Sequence, residues 1–177
     1  MALVVLLRGV NVGGHRAFRP SALARELRHL DVVNIGAAGT FVVHQPMAQA
    51  RLRAEFARRL PFETDIVICA GRDVRALMST EMPAAGRNVV RFVSVMSRLP
   101  RAMPRLPITL PPDGPWLLSV HARHGRFVVG RYRRHMRVIG YLGRLDRLVG
   151  APVTTRNWST MTAIARVLRE GVAPGAV

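Results

Sequence analysis

Apolar residues along this chain fall into two periods, and the periods change segment by segment. Leu3–Leu7 is an unbroken apolar run of five, the pattern of a short strand covered on both faces. Leu23, Leu27 and Leu30 then recur at spacings of four and three behind Pro20, which predicts a helix with one buried face and proline in its first turn. Val32–Ile35 and Thr40–His44 read as strands on either side of Gly36-Ala37-Ala38-Gly39. Met47–Leu60 returns to helical spacing through Leu52, Phe56 and Leu60, and Pro61 closes it. Asp65–Ala70 reads as another strand, and Asp73–Ser79 as a short helix. The order β-α-β-β-α-β is that of a ferredoxin-like lobe.

A second run starts at Asn88. Val89–Met96 predicts a strong strand, and six prolines between Pro100 and Pro115 then forbid a regular helix. Trp116–Ala122 and Phe127–Tyr132 read as a hairpin turning at His124-Gly125. Val138–Val149 reads as one helix despite Gly140 and Gly143. Thr154–Asn157 leads into a last helix on which Trp158, Met161, Ala165 and Leu168 share a face, making Trp158 a core residue. The expected fold is therefore α+β with mixed or antiparallel sheets in two ferredoxin-like lobes, residues 1–86 and a degenerate, basic 87–177.

Composition narrows the chemistry. The 177 residues are 49% hydrophobic, which excludes disorder, and no apolar run reaches the roughly 18 residues of a membrane span. The start lacks a basic leader and a cleavage site, so a cytoplasmic protein is expected, with no membrane partner. The single cysteine, Cys69, excludes an intrachain disulfide and a multi-cysteine metal site. All 27 cationic side chains are arginine. A codon bias explains arginine over lysine, but not the distribution. Residues 1–86 set eleven arginines against seven acids, and residues 87–177 set sixteen against three. That asymmetry points to an anionic partner for the second half, a polyanion such as nucleic acid or a small anionic ligand, or to a use in solubility.

Two strings carry the remaining information. Leu6–Gly14 reads Leu-Leu-Arg-Gly-Val-Asn-Val-Gly-Gly, and Thr154–Thr160 reads Thr-Thr-Arg-Asn-Trp-Ser-Thr. Gly9-x4-Gly14 has the glycine spacing of a P-loop, but His15-Arg16 stands where Lys-Ser/Thr is required. The loop also fails Gly-x-Gly-x-x-Gly, so ATP hydrolysis and dinucleotide binding are rejected, and no cofactor or metal is expected. Both strings resemble signatures of the bacterial domain-of-unknown-function 1697 family, placed at the same two ends of a chain of similar length. The resemblance implies an α+β architecture of two ferredoxin-like lobes and no established activity. Ala38-Gly39-Thr40 departs from that family's usual Ser-Gly-Asn, and the absence of lysine removes the lysine of its Ser-Lys segment.

Glycine-rich backbone can turn successive N–H groups onto an anion, and an arginine ahead of a helix N-terminus is electrostatically awkward without a partner. Arg8, Asn11, Gly13, Gly14, His15, Thr155, Arg156 and Asn157 are accordingly the candidate anion site, in a cleft joining the two chain ends. His15 is the sole conventional proton carrier beside either motif. Arg123, Arg126, Arg131, Arg133, Arg134 and Arg137 form a second candidate, a nucleic-acid patch. Arg131 and Arg133 lie on one strand face there, because strand side chains alternate. Three functions fit: a binding module for a phosphate-bearing or other anionic ligand, an enzyme acting on a small anionic metabolite, or a non-catalytic interaction protein. No oligomeric state follows from the sequence.

Overall fold

Among the described residues, nine strands form two antiparallel sheets, ordered β2-β3-β1-β4 and β6-β7-β8-β5-β9. The computed structural model describes residues 1–11, 18–82 and 84–171. The chain divides into two units, residues 1–80 with those from Ser159 onward, and Glu81–Trp158. The architecture is α+β.

In the first unit β1 (Leu3–Leu7) lies between β3 (Thr40–Val43) and β4 (Ile66–Ala70), and β2 (Val32–Asn34) borders β3. Central position explains the unbroken apolar run of β1, in which all five residues are buried. Leu3, Val5 and Leu7 face α1 (Pro20–Glu26) and α2 (Gln49–Ala57) through Leu23, Leu27, Leu52 and Phe56. A one-turn 3₁₀ helix, Arg28–Leu30, follows α1 and buries Leu30. Each such side chain contributes about 1.5–3 kcal/mol on burial. Phe41 meets Phe56 edge-on, with centroids 5.2 Å apart. The turn between β2 and β3 needs Gly39, whose φ is +65° and whose absent Cβ would stand 2.6 Å from Val10 and 2.9 Å from Leu7. Helix α3 (Gly71–Met78) follows β4 directly. Cys69 is buried on β4.

In the second unit β5 (Val89–Met96) is flanked by β8 (Phe127–Arg133) and β9 (Val153–Asn157). Beyond β8 come β7 (Leu118–His124) and the edge strand β6 (Ile108–Leu110). Phe92, Met96, Leu118, Val120 and Val128 form its core with Val138, Leu145 and Val149.

Two local expectations are corrected, and two segments prove to hold a strand. Val138–Val149 is two helices, α4 (Val138–Leu142) and α5 (Leu145–Val149), because Gly140 and Gly143 weaken a continuous helix. Thr154–Asn157 leads directly into the last helix, and it also forms most of β9, paired with Phe92–Val95. The proline-dense connector contains β6, an edge position that tolerates the prolines on either side. Trp158, which opens the last helix, α6 (Trp158–Glu170), is half-buried rather than core.

Candidate anion-binding recess

The N-terminal motif is described only to Asn11, and Gly13, Gly14 and His15 lie outside the described residues. What is described there is built into the fold. Asn11 has φ +54°. Its Nδ2 donates to the carbonyl oxygens of Phe18 and Ala37, at 3.1 and 2.7 Å, and its Oδ1 accepts from the Phe18 N–H at 2.9 Å. The amide thus joins the two ends of its own loop to the β2–β3 turn, and both its N–H groups are spent. Arg8 pairs with Asp65 at 3.1 Å, the side chains being 39% and 53% exposed, so the pair contributes less than about 1 kcal/mol. This pair borders a recess of about 720 Å³ that includes Glu63 and Thr64.

Thr154–Trp158 of the second motif lie in the other unit. Arg156 is buried, its Nη1 donating to Thr154 Oγ1 and the Thr155 carbonyl, both at 2.9 Å. Burial pulls its guanidinium down to about 10, which leaves it cationic at neutral pH. Thr155 Oγ1 lies 2.7 Å from Ser94 Oγ, a cross-strand hydroxyl pair. Asn157 is exposed at the end of β9.

The arginines of the predicted patch separate into two groups. Arg126 donates through Nε and Nη2 to the carbonyl oxygens of Met96 and Ser97, and Arg123 reaches Met103 Sδ at 3.7 Å. These two hold the hairpin to its surroundings. Arg131, Arg133, Arg134 and Arg137 instead line one recess of about 1070 Å³. Arg87 and Trp116, which sequence reasoning missed, complete it, and Asp113 is its one carboxylate. The guanidinium carbons of Arg131 and Arg133 lie 4.9 and 4.6 Å from the Trp116 ring centroid. Cation–π contact fixes both side chains without neutralising either.

Some arginines have a carboxylate within reach: Arg58 and Arg59 on Glu55, Arg8 on Asp65, Arg72 on Asp73 and Arg166 on Glu170. Among the described residues, Arg87, Arg131, Arg133, Arg134 and Arg137 make no ion pair. Arg131 Nε is moreover buried without an acceptor, as is Nε2 of His121. Each unmet group of this kind costs about 1–3 kcal/mol.

His121 occupies a bulge in β7 between Val120 and Ala122, with Nδ1 3.5 Å from Ser119 Oγ. Burial first, and then the Arg131 charge, hold its imidazole below the ordinary 6.5. The unfolded chain therefore takes up this proton at a higher pH than the folded one. The stability of the neutral form is complete above pH about 6.5 and is lost as pH falls below it. The melting temperature should drop between pH 7.5 and 5, and His121→Gln should flatten the drop in a thermal-shift series.

Comparison with known proteins adds fold but no activity. No curated protein matches the chain. The solved structure of a conserved bacterial protein from Streptococcus pneumoniae superposes with a TM-score of 0.59 at 17% identity, covering 94% of this chain and 98% of that one. At that identity the likeness concerns the fold alone. A family model matches residues 1–102, more than half of the sequence, and the chain belongs to the family described as protein of unknown function (DUF1697).

Proposed function

We propose that this protein is a binding module for a phosphate-bearing anion, held in the arginine recess of its second unit. The observation that carries the reading is five arginines around one cavity with no ion pair among the described residues. Planar guanidinium groups match phosphate oxygens bidentately, and two of them are already oriented by Trp116. The N-terminal motif is the weaker claimant, since Asn11 and Arg8 spend their side chains on the fold. Two ferredoxin-like lobes, the second degenerate, are the scaffold that fits. The order β7-β8-β5-β9 repeats β2-β3-β1-β4, with the first helix of the repeat replaced by the proline-rich connector and β6. A cytoplasmic setting, where phosphate esters and nucleic acid are abundant, suits this role.

Titration with pyrophosphate, followed by tryptophan emission, tests the reading. Saturable binding that weakens steeply with added salt is expected. No response of Trp116 at low salt overturns it. Asp113→Asn should tighten the binding up to about fivefold, since an exposed like-charged neighbour of the ligand is worth at most about 1 kcal/mol.

A further inference from the structure

Beyond the recess, the same sheet carries a second arginine–tryptophan pair. The guanidinium carbon of Arg91 lies 5.1 Å from the Trp158 ring centroid. Strand register connects the two pairs. Arg91 on β5 stands directly opposite Arg131 on β8, and Arg131 opposite Ser119 on β7. Phe92 pairs with Asn157 at the end of β9, which sets Trp158 beside Arg91. Trp116 just before β7, Arg131 on β8, Arg91 on β5 and Trp158 just after β9 thus follow one another in a row, joined by two cation–π contacts and one cross-strand opposition. Its two central residues are like charges in direct cross-strand opposition, an unfavourable pairing. Neither makes an ion pair among the described residues.

We propose that the anion is a single strand of nucleic acid, running from the recess across the sheet along this row; the proposal rests on the anion-binding reading above. Guanidinium groups take the phosphates, and indole and guanidinium planes take the bases by stacking. Only unpaired bases have free faces to meet indole and guanidinium planes, since those of a duplex are covered by their neighbours. A small phosphate ester fills the recess alone and has no use for Arg91 or Trp158. A strand needs the whole row.

The chain has two tryptophans, and both lie in the row, so each end reports separately. In Trp158→Phe the emission comes from Trp116 alone, and in Trp116→Phe from Trp158 alone. The two full-length variants are titrated with pyrophosphate, a ten-nucleotide oligothymidylate and the corresponding duplex. Pyrophosphate should alter Trp116 and leave Trp158 unchanged, whereas oligothymidylate should quench both. Arg91→Ala should weaken oligothymidylate about tenfold and lower its salt slope by about 0.7, with pyrophosphate changed less than about twofold. Oligothymidylate that quenches Trp116 alone, that ignores Arg91→Ala, or that binds no tighter than the duplex overturns the strand and leaves the anion site standing. If no anion alters either tryptophan, the recess reading falls and the strand with it.

Discussion

Replacing Arg131 and Arg133 together by methionine should lower affinity for phosphate anions by two orders of magnitude or more and leave the melting temperature within a few degrees. A hydrogen bond to a charged group contributes about 1.5–3 kcal/mol. Two such losses in one cavity therefore exceed the roughly 2.8 kcal/mol that a hundredfold change requires. Stability behaves differently because the opposing terms nearly cancel. The substitutions lose two contacts with Trp116, each worth about 0.5–1 kcal/mol. They also remove the buried, unmatched Nε of Arg131 and its opposition to Arg91. Methionine keeps an aliphatic stem against the indole, so the comparison isolates charge from packing. Arg8→Ala is the contrasting variant, and its affinity should stay within about twofold, because Arg8 is spent on Asp65. A double methionine variant that binds as tightly as the parent would remove the recess from the argument. Tight binding lost only on changing Arg8 would return it to the N-terminal motif. Isothermal titration and a thermal-shift curve on the same samples give both readouts.

Much of the fold was legible because apolar spacing dominates where a sheet is packed on helices. Leu3–Leu7, the Leu23–Leu27–Leu30 face and the Leu52–Phe56 pair are all buried as their periods predict. The strand β9 was not legible. Thr154, Thr155, Arg156 and Asn157 have no apolar alternation, and their strand is held by ladder pairing to β5 and a Ser94–Thr155 hydroxyl contact that only tertiary structure supplies. β6 was hidden for a related reason, since Pro107 and Pro111 bracket three residues that pair on one side only. The candidate site divides the same way. Arg131, Arg133, Arg134 and Arg137 declared themselves by proximity along the chain, but so did Arg123 and Arg126, which bind sulfur and carbonyl groups instead. Arg87, Arg91 and Trp116 are distant in sequence and join the arginines through the register of β5, β7 and β8. An arginine held by the fold and one left open look alike in one dimension until their neighbours are known. That Asp113 is the one carboxylate lining the recess is likewise a property of the assembled sheet.

Gly130→Ala should be the most damaging single methyl group in the second unit, costing about 3 kcal/mol and lowering the melting temperature by roughly 6–12 °C. Gly130 lies in β8 opposite Phe92 on β5 and Val120 on β7. A Cβ there would stand 2.5 Å from Phe92 Cζ and 2.5 Å from the Ser119 carbonyl oxygen. Neither neighbour can give way. The ring is fully buried in the core, and moving the carbonyl disturbs the β7–β8 ladder beside it. Gly125, at the hairpin turn, supplies the comparison. Its φ is +59° with nothing within 4 Å of a Cβ, so Gly125→Ala meets only the left-handed backbone penalty of about 1–2 kcal/mol. Equal losses for the two variants would mean that Phe92 finds another rotamer and that the core is looser than its packing implies. Gly130 also adjoins Arg131, so displacing β8 moves the guanidinium relative to both Trp116 and Arg91. Anion affinity should then fall along with stability in Gly130→Ala, and hold in Gly125→Ala. The residue without a side chain, pressed under a buried ring, is what fixes the strand from which the recess arginines project.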